Sequence, residues 1–189
     1  IDASDSVLDV GSGVGGPARL AASRIGCHVT GIDLSPTFVE LASRLTARTR
    51  LDETVSFEVG SATEMPFGDA TFSHAMLIHV GMNIEAKDRL FAEVRRVLRP
   101  GGRFGLYEQM RIGDGPLTYP MPWAEDERSS FVETRERYAE LLRAAGFAVE
   151  HDENRAAAMA GAGPPPADAL SPQDLFGPSF AERIANNLA

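Results

Sequence analysis

The chain has very little of what marks secreted and membrane proteins. Its 189 residues include a single cysteine, Cys27, so no disulfide can form within the chain, which agrees with a reducing compartment. No segment approaches the ~18 consecutive apolar residues that suggest a membrane span, and no secretory signal pattern is visible. These absences predict a cytoplasmic protein that does not span a membrane.

Basic charge is also scarce. The formal net charge is -9 and the sequence pI is about 4.9. An acidic surface repels phosphate backbones, so nucleic acid is not expected as a partner. The His, Cys and carboxylate spacing of a metal site is missing, and no metal is predicted. With 43% hydrophobic and 24% charged residues, the chain is predicted to form one globular domain over 1–189.

Short apolar segments alternate with amphipathic ones over the first 112 residues. A first helix is predicted between Pro17 and Gly26, with Leu20, Ala21 and Ile25 on its buried side. Further helices are predicted after Ser35 and over 85–98, and strands are predicted at 7–10, 27–33, 55–59, 71–78 and 103–111. Strands that alternate with helices pair in parallel through right-handed crossovers. We therefore predict an α/β fold with a doubly wound, mostly parallel sheet.

The pattern changes after residue 112. Proline and acidic residues are frequent over 113–131, and this segment is expected to be an inserted lid. A helix over 134–145 and a sixth strand over 147–151 are predicted to follow. A tract of Ala, Gly and Pro predicts a flexible loop over 156–172, and a final helix is predicted over 180–188.

A glycine-rich turn, Gly11-Ser-Gly-Val-Gly-Gly16, follows the first strand and opens the first helix. Glycines permit positive φ angles and let the backbone approach a ligand closely. The spelling also satisfies the G-x-G-x-x-G pattern of dinucleotide-binding enzymes. On its own, this turn does not choose between two kinds of nucleoside cofactor.

Two carboxylates flank the turn. Asp9 precedes it, and a negative charge there disfavours an anionic pyrophosphate but suits a ligand with an ammonium group; the alternative is that Asp9 only accepts hydrogen bonds from the turn itself. Asp33 ends the second strand, where a carboxylate accepts hydrogen bonds from ribose hydroxyls. The two carboxylates together favour a nucleoside ligand that carries an amino group.

Four segments follow one another in the chain as Val7-Leu-Asp-Val-Gly-Ser-Gly-Val-Gly-Gly16, Gly31-Ile-Asp-Leu-Ser35, Ala62-Thr-Glu-Met-Pro-Phe67 and Glu93-Val-Arg-Arg-Val-Leu-Arg-Pro-Gly-Gly102. Together they resemble the class I S-adenosylmethionine-dependent methyltransferases, in the small-molecule branch near the ubiquinone/menaquinone-biosynthesis and sugar or natural-product methyltransferases. The resemblance covers about residues 5–155. It implies a Rossmann-like methyltransferase fold, S-adenosyl-L-methionine as cofactor and S-adenosylhomocysteine as product.

The resemblance also implies which residues bind the cofactor. The methionine end would be held by Asp9, Gly11, Ser12, Gly13, Gly15 and Gly16. The remaining contacts would be made by Asp33 to the ribose, Leu34 to the face of the adenine, Ser61, Ala62 and Thr63 to its edge, and Leu77 and Ile78 beside the methionine part. The family usually has an aspartate where Ser61 stands, and a serine would bond the adenine amine without charge assistance.

Candidate catalytic residues lie at the ends of the fourth and fifth strands. His79 is the best candidate for a general base, because an imidazole titrates near neutral pH and this residue directly follows a strand. Related methyltransferases often have a histidine pair here, whereas this chain has Ile78-His79. The alternative for His79 is packing at the start of the next helix. Tyr107 and Glu108 are expected either to face the acceptor or to bond neighbouring backbone.

Within the predicted lid, Tyr119 and Trp123 are expected to form an aromatic wall over the substrate, with simple surface packing as the alternative. The predicted function is methyl transfer to an oxygen, nitrogen or carbon of a small molecule. Two alternatives stay open, an NAD-dependent oxidoreductase and a non-catalytic protein that binds a nucleoside cofactor. The resemblance further implies a fragment that lacks the family's N-terminal helices and last strand.

Overall fold

The computed structural model describes residues 1–113 and 115–155. The strands are β1 (Ser6–Val10), β2 (His28–Asp33), β3 (Val55–Val59), β4 (Phe72–Ile78) and β5 (Leu98–Tyr107). The helices are α1 (Gly16–Ile25), α2 (Pro36–Arg48), α3 (Lys87–Val97) and α4 (Arg135–Ala144), with short 3-10 turns at Gly81–Asn83 and Glu127–Ser129. No helix in this part of the chain is long and apolar enough to cross a membrane. The loop predicted over 156–172 and the helix predicted over 180–188 lie outside the described residues.

The five strands form one sheet in the order β3-β2-β1-β4-β5, and every neighbouring pair is parallel. Parallel neighbours require crossover connections, which α1, α2 and α3 supply. The strand order reverses between β1 and β4, and ligands in such sheets bind outside the carboxyl ends of the strands at this switch point. The predicted doubly wound α/β fold is confirmed.

Alternating side chains of β1 enter two separate hydrophobic clusters. Leu8 and Val10 are buried with side chains of α3, whereas Val7 is buried with Ala22 of α1 and its neighbours. Successive residues of a strand point to opposite faces of its sheet. Asp9 therefore shares the face of Val7, beside α1, and the side chain of Asp9 is 2% exposed.

The buried side of α1 differs from the prediction. Ala18 and Ala22 are its buried residues, while Leu20 is 58% and Ile25 is 38% exposed. The prediction for Leu20 and Ile25 was wrong, because the helix packs through two alanines that lie one turn apart. Small side chains let α1 lie close to the sheet, directly after the glycine turn.

Strand β5 begins earlier and ends earlier than predicted. Leu98 already pairs with Phe72, and the register then shifts before Arg103 pairs with His74. Gly101, with a φ of 78°, lies in this irregular stretch. Residues 99–102, between the predicted helix and the predicted strand, are therefore a bulged part of the strand. The strand ends at Tyr107 rather than at residue 111.

The sixth strand predicted over 147–151 is wrong. This segment forms no ladder hydrogen bonds with a strand of the described sheet. Side chains hold it next to β5 instead: the Phe147 ring lies 5.5 Å from the Phe104 ring, and Glu150 accepts a hydrogen bond from Arg103 at 3.0 Å. The alternating apolar pattern there reflects side-chain packing without strand pairing.

Candidate functional site

The glycine turn connects β1 to α1 at the switch point of the sheet. Gly11, Gly13 and Gly15 have φ angles of 70°, 52° and 76°, in the left-handed region that favours glycine. A Cβ atom on Gly11 would lie 2.5 Å from the Val80 side chain, and one on Gly15 would lie 2.4 Å from the Phe57 ring. Glycine is therefore required at positions 11 and 15 for both conformation and space.

Backbone hydrogen bonds tie the turn to the end of β2. The N–H groups of Gly11 and Ser12 donate to the Ile32 carbonyl at 2.8 and 3.0 Å. The Gly13 N–H donates to Asp33 Oδ2 at 2.8 Å. These bonds bring together the two carboxylate-bearing strand ends that the sequence predicted.

Two polar atoms next to the turn are buried without a partner. They are Asp9 Oδ2 and Ser12 Oγ, which lack a hydrogen bond within the described residues. Burial raises the pKa of Asp9 to about 7, the charge of Asp33 acts in the same direction, and the backbone N–H of Ala18 opposes both. An unsatisfied buried oxygen is costly. A donor from outside the chain, best a cation, would remove that cost.

The Asp33 carboxylate accepts hydrogen bonds from two backbone N–H groups. Besides Gly13, the Ser35 N–H donates to its Oδ1 at 2.9 Å. Each carboxylate oxygen has a second acceptor site, so Asp33 is fixed in orientation and retains the capacity to accept hydrogen bonds from a diol. The predicted ribose contact fits this geometry and stays a prediction.

Leu34, next to Asp33, is 75% exposed. An apolar side chain that is exposed here is available to pack on the adenine ring, as predicted. The loop after β3 lies against the end of β2, since the Gly60 N–H donates to the Asp33 carbonyl at 3.0 Å. In that loop, the hydroxyls of Ser61 and Thr63 are 2.9 Å apart, and Ala62 packs against the main hydrophobic cluster. Val59, which pairs with Asp33 and is 49% exposed, lies at the same edge of the sheet and was not predicted to face the site.

Leu77 and Ile78 end β4 differently. The Leu77 side chain is 0% exposed and belongs to the core, so only its backbone can meet a ligand. Ile78 is half-buried. Of the two predicted contacts beside the methionine part, Ile78 is the one with an available side chain.

His79 follows β4 with a φ of 56°, an uncommon conformation for a residue with a side chain. Its N–H donates to the Tyr107 carbonyl at 2.9 Å, and the two rings meet edge to face with centroids 4.9 Å apart. Burial lowers the pKa of the His79 imidazole, which favours the neutral form that can accept a proton. Tyr107 is partly exposed beside it.

Glu108 is turned toward the backbone that follows His79. Its Oε1 accepts hydrogen bonds from the N–H groups of Val80 and Gly81, each at 2.7 Å. Its Oε2 is buried and has no hydrogen-bond partner in the described part of the chain. Burial raises the pKa of Glu108. Of the two arrangements predicted for Glu108, the structure has the one bonded to backbone.

A buried polar cluster next to Glu108 was not predicted. Lys87, the first residue of α3, is 3% exposed; its Nζ donates to the Ile84 carbonyl at 2.8 Å and to the Phe131 carbonyl. It also lies 5.8 Å from the centroid of the Tyr138 ring. Lys87 and Tyr138 come from helices whose apolar pattern dominates, so periodicity alone assigns them to packing.

The second half of the predicted lid is attached to the site. The Phe131 N–H donates to the Met82 carbonyl at 2.8 Å, and Met121 and Ala124 are buried. Trp123 is half-buried, and its ring N–H donates to the Ser130 hydroxyl at 3.1 Å. Tyr119 is half-buried as well. An aromatic wall over a substrate stays a prediction, and 113–131 as a lid does too.

No cluster of His, Cys, Asp and Glu that could hold a metal ion is found among residues 1–113 and 115–155.

The candidate site residues at the carboxyl ends of the strands fall into two sets. One set, around the glycine turn, presents unsatisfied oxygens and an exposed leucine. The other, after β4 and β5, presents an imidazole and a tyrosine ring above a buried charged cluster.

Comparison with known proteins gives a family match for the chain. A family profile described as a methyltransferase domain matches residues 8–106. The sterol 24-C-methyltransferase ERG6B of Gibberella zeae is 33% identical over 168 residues, which cover 84% of this chain and 43% of that protein.

Solved structures agree. The phosphoethanolamine N-methyltransferase 2 of Haemonchus contortus, solved with S-adenosyl-L-methionine, superimposes with a TM-score of 0.68 at 28% identity over 78% of this chain and 34% of that one. A 4+2 cyclase, SpnF, gives a TM-score of 0.71 at 30% identity over 80% of this chain and 53% of that one. The chain thus spans about half the length, or less, of these relatives.

Proposed function

The chain belongs to the methyltransferase-domain family, and from its site we propose that it transfers a methyl group from S-adenosylmethionine to an oxygen, nitrogen or carbon of a small molecule. The observation that carries this proposal is the pair of unpartnered buried oxygens at the glycine turn, Asp9 Oδ2 and Ser12 Oγ. Asp9 Oδ2 needs a hydrogen-bond donor, and the Ser12 hydroxyl needs a donor or an acceptor, that the described residues do not supply.

The chemistry of this pair fits the amino-acid end of S-adenosylmethionine. An ammonium group donates up to three hydrogen bonds and carries the charge that would return Asp9 to its ionised form. A dinucleotide would instead bring an anionic pyrophosphate to the same turn, where the Asp9 carboxylate repels it. Asp9 therefore argues against the oxidoreductase alternative, whereas Asp33 fits the ribose of either cofactor.

The remaining cofactor contacts follow from the ends of β2 and β3. Asp33, fixed by two backbone N–H groups, would accept hydrogen bonds from the ribose hydroxyls. The exposed Leu34 would pack on the adenine face, and the loop at Ser61 and Ala62 would meet its edge. We propose these roles on the strength of exposure and position at the strand ends.

S-adenosylmethionine supplies the methyl group bound to a positively charged sulfur. For the chain, the task is alignment of the acceptor and exclusion of water, which supply much of the rate in an in-line displacement. His79 would accept a proton from an acceptor hydroxyl or amine, because its lowered pKa keeps the imidazole neutral. Tyr107 would hold the imidazole through their ring contact.

The acceptor side has an apolar character. Tyr107, at the end of β5, and Ile112, further along the chain, are exposed large side chains, and Tyr119 and Trp123 add aromatic rings in the predicted lid. An acceptor with an apolar body, such as the sterol of the Gibberella zeae relative, suits these surroundings. The apolar body would make contact with the rings while the reacting atom approaches His79.

Binding and transfer test the proposal separately. S-adenosylhomocysteine is expected to raise the melting temperature of the protein, and NAD is not; stabilisation by NAD alone would overturn the proposal. Asp9→Asn is expected to remove most of the shift, and Asp52→Asn, at an exposed turn before β3, serves as its matched control.

Transfer is then measured with S-adenosylmethionine carrying a labelled methyl group and a panel of hydroxyl, amine and prenyl acceptors. Incorporation of label into an acceptor is the expected result. Because a structural neighbour is a cyclase, the same mixtures are examined for rearranged but unlabelled product. Such a product, formed without label, would assign the cofactor a non-reacting role.

A further inference from the structure

Three successive backbone N–H groups after β4 all donate to the end of β5. His79 donates to the Tyr107 carbonyl at 2.9 Å. Val80 and Gly81 donate to the same carboxylate oxygen, Glu108 Oε1, at 2.7 Å each. Charge-assisted hydrogen bonds of this length are stronger than neutral ones. The loop that carries His79 is thus fixed by two adjacent residues, Tyr107 at the end of β5 and Glu108 directly after it.

His79 needs this fixing because its backbone is in the left-handed region, with a φ of 56°. A residue with a Cβ atom persists there only where surrounding contacts determine the conformation. The neighbouring Val80 adds one more constraint, since its side chain fills the space where a Cβ on Gly11 would lie. The loop is consequently seated between Glu108 and the cofactor turn.

Glu108 itself lies close to the buried cluster of Lys87 and Tyr138. Lys87 provides a nearby positive charge, which opposes the effect of burial on the pKa of Glu108. A Cβ on Gly81 would lie 2.5 Å from the Tyr138 hydroxyl and 3.3 Å from Glu108 Oε1. The Glu108 carboxylate and the Tyr138 hydroxyl therefore both lie close to the Gly81 backbone, and the loop has little room to move.

We infer that Glu108 is a positioning residue for His79: its carboxylate holds the Val80 and Gly81 N–H groups and thereby keeps the imidazole against Tyr107. The inference rests on the proposed function only for the use to which His79 is put. The position of the His79 ring itself can be measured without substrate or cofactor.

The test is nuclear magnetic resonance of the whole chain labelled at its four histidines, His28, His74, His79 and His151. The His79 signal is assigned by its loss in His79→Asn, and the other three serve as internal references. Signals and their titration are compared in the parent protein, in Glu108→Ala and in Glu108→Gln, which keeps an acceptor oxygen but removes the charge. Glu40→Gln, an exposed change on α2 that removes the same charge, is the matched control.

In Glu108→Ala, the His79 signal is expected to lose the ring-current shift caused by Tyr107, and its pKa to rise toward that of a solvated imidazole. The other three histidines should stay unchanged, which a general loss of structure would not allow. Glu108→Gln should stay closer to the parent than to the alanine variant. An unchanged His79 signal in Glu108→Ala, or equal shifts in the glutamine and alanine variants, would overturn the inference.

A second variant covers the case in which Glu108→Ala does not fold. Gly81→Ala keeps Glu108 but forces the loop away from Tyr138 and the carboxylate, so it should displace the same His79 signal. A parent-like signal in this variant would likewise overturn the inference. S-adenosylhomocysteine binding by the parent is measured alongside; its failure would count against the proposed function and leave the positioning result standing.

Discussion

The two halves of the site are built in different ways. The cofactor half consists of one short stretch of chain, the glycine turn, closed by the end of β2. The acceptor half is the loop after β4 together with residues that pack around it. These residues are Glu108, Lys87, Phe131 and Tyr138, which come from different parts of the sequence. The first half is fixed by the backbone conformation of the glycine turn and its hydrogen bonds to β2, and the second by contacts of side chains, so substitutions should damage them differently.

The largest effect is expected from His79→Ala on transfer. Loss of a general base slows a reaction by about 10²–10⁴-fold, while affinity for S-adenosylhomocysteine should stay within about twofold of the parent, since His79 belongs to the acceptor half. Steady-state rates with labelled cofactor and calorimetric binding measure the two quantities. Equal turnover in variant and parent would remove His79 as the base.

Gly11→Ala tests the local geometry of the cofactor half. The new Cβ would meet Val80 at 2.5 Å with φ at 70°, and overpacking together with a left-handed alanine costs about 2–4 kcal/mol. Urea denaturation measures the free energy of unfolding. Gly16→Ala is the matched control, because no heavy atom lies within 4 Å of its Cβ position; it should be neutral or slightly stabilising. A cost as large at Gly16 would contradict the role of space at Gly11.

Gly81→Ala tests the tertiary contacts of the acceptor half. The clash with the Tyr138 hydroxyl at 2.5 Å should lower the free energy of unfolding by about 1–3 kcal/mol. Tyr138→Phe removes that hydroxyl, which has no hydrogen-bond partner in the described part of the chain, and should restore part of the loss in the double variant. Strictly additive losses would show that the two residues do not press on each other.

The smallest expected effect is on the pH dependence of cofactor affinity. The pKa of Asp9 is raised to about 7, so the free carboxyl is largely protonated below that pH, while a cofactor ammonium favours the ionised form. Affinity for S-adenosylhomocysteine should therefore weaken by up to about tenfold per pH unit below 7 and level off above it. Titration calorimetry from pH 5.5 to 8.5 measures this, and a flat profile in the parent would contradict it.

What the sequence could predict follows the same division. The glycine turn, Asp9 and Asp33 were found because their signal is local: residue types that permit one backbone conformation at adjacent positions. The parallel sheet was found because strands and helices alternate. The sequence signal of each of these features can be recognised within short segments of the chain.

The features that were missed depend on distant neighbours. Leu20 was assigned to the buried side of α1, yet Ala18 and Ala22 are the buried residues of that helix. The segment at 147–151 alternates like a strand but forms no ladder hydrogen bonds with the described sheet. Lysine is usually a surface residue, yet Lys87 is buried. Its burial is explained by the hydrogen bonds that its Nζ donates to the Ile84 and Phe131 carbonyls. No local pattern specifies which carbonyl will be nearby.

The central claim is that Asp9 at the glycine turn binds the ammonium group of S-adenosylmethionine. Calorimetric binding of S-adenosylhomocysteine and of methylthioadenosine, which lacks the amino-acid end, to the parent and to Asp9→Asn tests it most directly. The predicted result is a loss of about tenfold to a hundredfold in affinity for S-adenosylhomocysteine with little change for methylthioadenosine. Equal losses for both ligands, or none for either, would contradict the claim.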